Sequence, residues 1–131
     1  MSITIPNNHQ QCAVCSKPFF NNDHTLEFDL MADGGVIGKI VPTEKVQGYN
    51  GVMQGGAIAA LHDAAMTHCL FAHDVCAMTA KLDVRFIKPI SLNSLIEVKA
   101  HCIKSKRGIY FMQSRIFSDG LCVSKAEAKF M

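Results

Sequence analysis

The spacing of apolar positions changes period along the chain. Leu26, Phe28 and Leu30 alternate with Glu27 and Asp29, the period-two pattern of a strand. Asp33-Gly34-Gly35 follows as a hairpin signal, and Val36 to Val41 reads as the return strand, ended by Pro42, which has no backbone donor. After a glycine-studded loop, Gly55 and Gly56 open a stretch to about Ala72 that is apolar on nearly every side. At helical rise it is roughly 27 Å long, and a helix so uniformly apolar has to be wrapped by other structure. Beyond a turn near Asp74 the period returns to two. Met78, Ala80, Leu82, Val84 and Phe86 alternate with Thr79, Lys81, Asp83 and Arg85, the clearest half-buried strand pattern in the chain. Three further strands are expected: one through Ile96, Val98, Ala100 and Cys102, one over 109–117, and one over 121–130. A charged turn at 104–108 and an Asp119-Gly120 hairpin signal separate them.

Two strands, one long helix and four strands joined by short turns predict an α+β chain. Turns this short force antiparallel pairing, and the helix must lie on one face of the sheet. Residues 1–11 are polar and read as a loose tail. The expected organisation is a tail over 1–25 and one domain over 26–131.

Composition narrows the function classes. The chain has 131 residues, 49% of them hydrophobic, and a formal net charge of +2. That balance argues against nucleic acid or a membrane surface as partner. Gln54, His62, Asp63 and His68 interrupt the longest apolar run before it reaches membrane-spanning length. The N-terminus lacks the basic start and apolar stretch of a secretion signal. Four of the six cysteines, Cys69, Cys76, Cys102 and Cys122, lie in or beside apolar segments, where cysteine acts as a small hydrophobe. A reduced, cytoplasmic protein is the expectation.

Asp63 is the sharpest chemical signal. Aspartate is a poor residue in mid-helix, and this one lies too far past Gly55 to cap the helix. Partial burial of a carboxylate suits a nucleophile or general base, although solvent exposure or pairing with His62 or a lysine would also account for it. The Gln54-Gly55-Gly56 start exposes backbone donors where the helix dipole favours negative charge, the geometry of an oxyanion site. The alternative is a tight turn that lets the helix pack closely. Lys104, Lys106 and Arg107, with Lys88 and Arg85, could hold phosphates or could form a solvated hairpin tip. Cys12 and Cys15 form a CxxC, with His9 three residues earlier and His24 downstream. Zinc needs four ligands and no second CxxC exists; a redox CxxC expects a βαβ setting that is absent. His62, His68 and His73 have no metal-binding spacing either, so no metal site is expected.

The run Gly48-Tyr49-Asn50-Gly51-Val52-Met53-Gln54-Gly55-Gly56, followed by Leu61 and Asp63, resembles the helix motif of hotdog-fold thioesterases of the PaaI-like group. The strand ending Val84-Arg85-Phe86-Ile87-Lys88-Pro89 is similar to theirs as well. The likeness covers about 26–131. It implies a curved antiparallel sheet wrapped around one long central helix, and homodimers joined edge to edge that often pair into tetramers. It further implies an acyl-CoA or other acyl-thioester substrate, with no cofactor besides the coenzyme A of the substrate. By this resemblance Asp63 is the nucleophile or general base, and the Gly55 amide polarises the thioester carbonyl. Gln54 and Thr79 assist, while Gly56, Asn50, Lys88 and Arg107 belong to substrate binding. The acid and the helix-start glycine of one site come from different subunits in such dimers. Three positions depart from the pattern: Gln54 stands where a histidine is usual, Gly48 where some relatives have asparagine, and Ala64 where an acid often follows the aspartate. Glutamine can donate a hydrogen bond but cannot shuttle a proton. A non-hydrolytic acyl-thioester binding protein is therefore the alternative reading, with a hydratase third, since its chemistry would want a histidine beside the acid. Strict alternation in the third strand also puts Thr79 on the face away from the helix, so Thr79 can serve only if a bulge intervenes.

Overall fold

The computed structural model describes residues 3–131. Helix α1 spans Gly55–Ala72, residue for residue the stretch its composition predicts. Leu61, Ala65, Met66 and Cys69 have no exposed surface. The helix is buried on most sides because it packs into a sheet of six strands. These are β1 (Phe28–Leu30), β2 (Val36–Ile40), β3 (Thr79–Phe86), β4 (Ile96–Lys106), β5 (Ile109–Ser118) and β6 (Leu121–Phe130). Their order across the sheet is β1-β2-β4-β5-β6-β3, and every neighbouring pair is antiparallel. Val36, Ile96, Val98, Ala100, Met112 and Ile116 form the buried face that meets the helix. This is the hotdog arrangement, a curved antiparallel sheet around one central helix.

Turn chemistry explains the boundaries. Arg107 and Gly108, then Asp119 and Gly120, all have positive φ. Two such residues in a row make the two-residue hairpin turn whose twist matches the strands it joins. The helix ends on Asp74 at φ 59, with Val75 N–H donating to the Leu70 carbonyl and Asp74 N–H to that of Phe71. These two bonds satisfy carbonyls that the helix end would otherwise leave free.

Three expectations change. The segment before β1 packs on the core, with Cys15, Phe20 and Asn21 buried. Asn21 Oδ1 accepts from the amides of Asp23 and His24, and its Nδ2 donates to the Val41 carbonyl at 3.0 Å. Those bonds tie residues 21–24, inside the expected tail over 1–25, to the end of β2. Second, Cys76 and Cys102 are exposed. Cys76 follows the helix in a loop, and Cys102 lies where β4 begins to run into exposed positions. Third, β3 is an edge strand. Only Leu82 and Val84 reach partial burial along it, while Met78 and Phe86 remain 82% and 54% exposed.

His62 lies inside the molecule, with no exposed surface. Its Nε2 lies 2.8 Å from Ser124 Oγ, whose single proton is already donated to the Arg85 carbonyl. Nε2 must therefore carry the ring proton, and Nδ1 accepts from Ser114. Burial holds this imidazole neutral, lowering its pKa from 6.5 to about 4. The unfolded chain binds that proton below about 6.5 and the folded chain only below about 4, so folding stability is full above 6.5 and is lost as pH falls through that window. The expected loss is about 3 kcal/mol. Denaturant titrations at pH 7.5 and 4.5 should show it, and His62→Gln should flatten part of the slope.

Candidate active site

The acid reaches its threonine because β3 is irregular at its start. Thr79 pairs with Phe130 and Lys81 with Lys129, so two residues of β3 oppose one step of β6. This is a bulge, and it turns Thr79 back toward the helix. Thr79 Oγ1 donates to Asp63 Oδ1. Asp63 is half-buried on α1, and one turn later Thr67 Oγ1 donates to the Asp63 carbonyl at 2.8 Å. Asp63, Thr67 and Phe71 form one stripe of the helix, four residues apart. With Thr79, Cys76, Ala77, Met78, Met131, Asn8 and His9 they line an open groove of about 540 Å³. Sequence reasoning missed Thr67 and Phe71, although their spacing from Asp63 was the available signal. It also missed His9, which arrives from a segment distant in the chain.

The helix start forms a second cluster. Gln54 is the N-cap, and its Oε1 accepts from the Ala57 amide at 2.8 Å. Two glycines make this fold-back possible. A Cβ on Gly56 would stand 2.8 Å from Gln54 Oε1, and one on Gly48 would stand 3.0 Å from Gln54 Cα. The first amides of a helix have no intrahelical acceptor, and those of Gly55 and Gly56 make no hydrogen bond among the described residues. Gln54, Gly55 and Gly56 are all exposed.

The structure thus brings together Asp63 with Thr79, and Gln54 with Gly55 and Gly56, as two separate groups. Asp63 lies eight positions beyond Gly55, roughly 12 Å along the helix axis. Asn50 and Lys88 are exposed, on chain segments that meet where Gly51 and Val52 contact Ser91 and Leu92. Arg107 sits on the β4–β5 turn, whose flanking Ser105 and Tyr110 share a cleft with Leu70 and His73 at the other end of the helix. Arg107 therefore joins neither group within one chain.

The family model described as the thioesterase superfamily matches residues 50–122. That span holds the helix, its capped start, Asp63 and Thr79. The chain belongs to the thioesterase superfamily. Solved structures with the same fold include a thioesterase superfamily protein with TM-score 0.78 and 23% identity; the match covers 82% of this chain and 56% of that one. The present chain thus spans just over half of that protein. A hypothetical thioesterase from Streptococcus pneumoniae TIGR4, solved with coenzyme A, has TM-score 0.77 and 21% identity over 83% of this chain and 89% of that one. The same streptococcal protein has been solved with alanine replacing an aspartate and, separately, a threonine sixteen positions further on. A phenylacetic acid degradation-related protein from Ralstonia eutropha JMP134 has TM-score 0.73 and 21% identity over 81% and 83% of the two chains. A search of curated proteins finds no match. At these identities the structural likeness establishes the hotdog fold of this thioesterase superfamily member. Among its described residues no helix is long and apolar enough to cross a membrane.

Proposed function

We propose that the protein hydrolyses acyl-CoA thioesters at a site shared between two copies of the chain. The observation that carries this reading is the Thr79–Asp63 contact, which exists only because β3 bulges to make it. Asp63 acts as nucleophile or as general base for water, and Thr79 orients its carboxylate. Attack on the thioester carbonyl develops negative charge on oxygen, which the Gly55 amide at the positive end of the helix dipole stabilises. Collapse breaks the C–S bond. With water as attacking group the carboxylic acid forms at once, and the proton taken by Asp63 passes to the coenzyme A thiolate. Direct attack by Asp63 instead leaves a mixed anhydride that water then hydrolyses, the thiolate taking its proton from solvent. The separation of sixteen positions between the aspartate and threonine replaced in the coenzyme A-bound streptococcal relative equals that between Asp63 and Thr79, which supports the pairing.

Sharing follows from distance. One carbonyl has to lie within about 3 Å of both its attacking group and its oxyanion donor, and roughly 12 Å of helix separates Asp63 from Gly55 in one chain. A second copy supplies the missing half. Strand β3 is the edge where it docks, because a long edge bearing Met78, Phe86 and Ile87 exposed is one that proteins cover. Gln54 assists the oxyanion through its Nε2, since Oε1 is committed to the Ala57 amide. Gly56 and Asn50 shape the substrate channel, and Lys88 and Arg107 hold coenzyme A phosphates. Because Arg107 joins neither group of its own chain, it serves a site on another copy, in the dimer or in a neighbouring pair of a tetramer. The division into a segment over 1–25 and a catalytic domain over 26–131 belongs to the same reading.

A second reading has one observation in its favour. Gln54, unlike histidine, cannot move a proton, and its side chain is occupied as a helix cap. On that basis the protein would hold an acyl thioester without cleaving it. Thiol release across a panel of short, long and aromatic acyl-CoA esters separates the two. Hydrolysis predicts release above the buffer rate for at least one ester, whereas tight binding with no release from any of them would establish the second reading.

A further inference from the structure

The N-terminal segment carries a cluster that thioester chemistry does not use. His9, Cys12 and Cys15 recur every three residues, and the backbone winds them into a tight turn. Cys12 N–H donates to the His9 carbonyl at 3.2 Å, and Ser16 N–H to the Cys12 carbonyl at 3.0 Å. Ser16 Oγ donates to the His9 carbonyl, and the Cys15 amide points at Cys12 Sγ, 3.4 Å away. This turn rests on α1 at His68, which is 2% exposed. His9, Cys15 and His68 each offer one ligand atom, and the three atoms lie within 4.8 Å of one another.

Two of these side chains are also in electrostatic debt. Nε2 of His9 and Nε2 of His68 are both buried, and neither has a hydrogen-bond partner among the described residues. Aromatic rings close the surroundings: Phe28 lies 4.7 Å and Phe71 5.3 Å from the His68 ring, and Phe71 also lies 4.9 Å from that of His9. A protein rarely leaves even one buried polar nitrogen unsatisfied, and here two lie on the rings that gather with a buried thiol. A disulfide between Cys12 and Cys15 would leave both imidazoles as they are. A cation bound between them satisfies every one of these groups.

We propose that His9, Cys12, Cys15 and His68 bind a single zinc ion that pins the N-terminal segment to α1. Two thiols and two imidazoles are a donor set that suits zinc, with bonds of about 2.0–2.3 Å that place tetrahedral ligand atoms about 3–4 Å apart. The three gathered donor atoms of His9, Cys15 and His68, within 4.8 Å of one another, need only small side-chain rotations to close to that size. Cys12 is the fourth ligand because its sulfur already accepts the Cys15 amide, the outer bond that steadies a metal-bound thiolate. On binding, each thiol releases its proton to solvent, and the two thiolates neutralise the dication. Four protein ligands leave no open position, so the ion is structural. Its effect on the groove is indirect, since Asn8 and His9 form one of the walls that face Asp63 and Thr79. The spacing in sequence hides this site: the half-site His9-Cys12-Cys15 is local, but its completing ligand lies on the central helix.

The full chain, expressed with added zinc and purified under reducing conditions without chelator, should contain about one zinc per chain. After removal of the metal, cobalt(II) should give the intense visible bands of a tetrahedral site and a thiolate-to-metal charge-transfer band in the near ultraviolet. Cys15→Ser and His68→Gln should each abolish retention of the metal, and the metal-free wild type should melt at a lower temperature than the loaded protein. His9 is only half-buried, so His9→Ala keeps the test open if the buried variants do not fold: its zinc should exchange freely with a colorimetric chelator where wild type holds on. A reduced wild type that takes up neither zinc nor cobalt overturns the proposal. So does stoichiometric zinc in a His9→Ala, Cys15→Ser double variant, or a metal-free protein isolated with a Cys12–Cys15 disulfide.

Discussion

Asp63→Ala should lower thioester hydrolysis by about 10²–10⁴-fold, the range that a positioned acid or base contributes, with the fold left intact. The argument for an intact fold is local. Asp63 is only half-buried, its carboxylate accepts from Thr79 at the mouth of the groove, and alanine is the better helix residue at that position. Asp63→Asn separates chemistry from shape. It keeps the size of the side chain and an oxygen that can accept from Thr79, but an amide neither attacks a carbonyl nor takes up a proton. The two variants should therefore be comparably inactive while melting close to wild type. An active Asp63→Asn protein would remove Asp63 from the chemistry, whatever Asp63→Ala did.

Gly55→Pro should cost about 10²–10³-fold in kcat, the loss seen when one oxyanion donor is removed, and should change KM little. A backbone donor cannot usually be deleted by mutation without breaking an element, but this position allows it. Gly55 is the first helical residue, where proline is tolerated because its missing N–H has no partner inside the helix. Gln54 before it already has φ −67 and ψ 139, the extended conformation that a residue preceding proline requires. A Cβ at Gly55 meets only the Phe86 ring at 3.7 Å, an ordinary contact. Gly55→Ala is the matched control: it adds the Cβ, keeps the N–H, and should retain most activity. Equal activity in the alanine and proline variants would mean that the Gly55 amide does not touch the reacting oxygen.

Local periodicity explains how much of this was legible before the structure. The helix boundaries, the two hairpins with Asp-Gly and Arg-Gly turns, and the antiparallel order all follow from apolar spacing and from residues that accept positive φ. The bulge at Thr79 was legible only as a condition, because alternation alone places Thr79 on the wrong face and nothing in a strand pattern marks where the ladder slips. Asp63 stood out because a carboxylate among alanines in mid-helix is unusual, and Thr67 and Phe71 share its stripe. The features that sequence patterns could not show are those made by distant segments. Residues 1–11 read as polar, yet His9 among them reaches both the groove and His68, and Cys15 and Phe20 just beyond them are buried. The alternation of β3 reads as a half-buried strand, whereas β3 is an edge along which only Leu82 and Val84 are partly buried.

The shared site is tested most directly by mixing its two halves. Asp63→Ala and Gly55→Pro chains, each inactive alone, are unfolded together, refolded in equal amounts and assayed for thiol release with the best acyl-CoA ester. If Asp63 of one chain works with the Gly55 amide of the other, each mixed dimer holds one site with both groups intact and one with neither. Random pairing then restores about a quarter of wild-type activity. Recovery near that level, absent when either variant is refolded alone, is the predicted result. No recovery from a mixture that demonstrably contains mixed dimers would contradict a site built across two subunits.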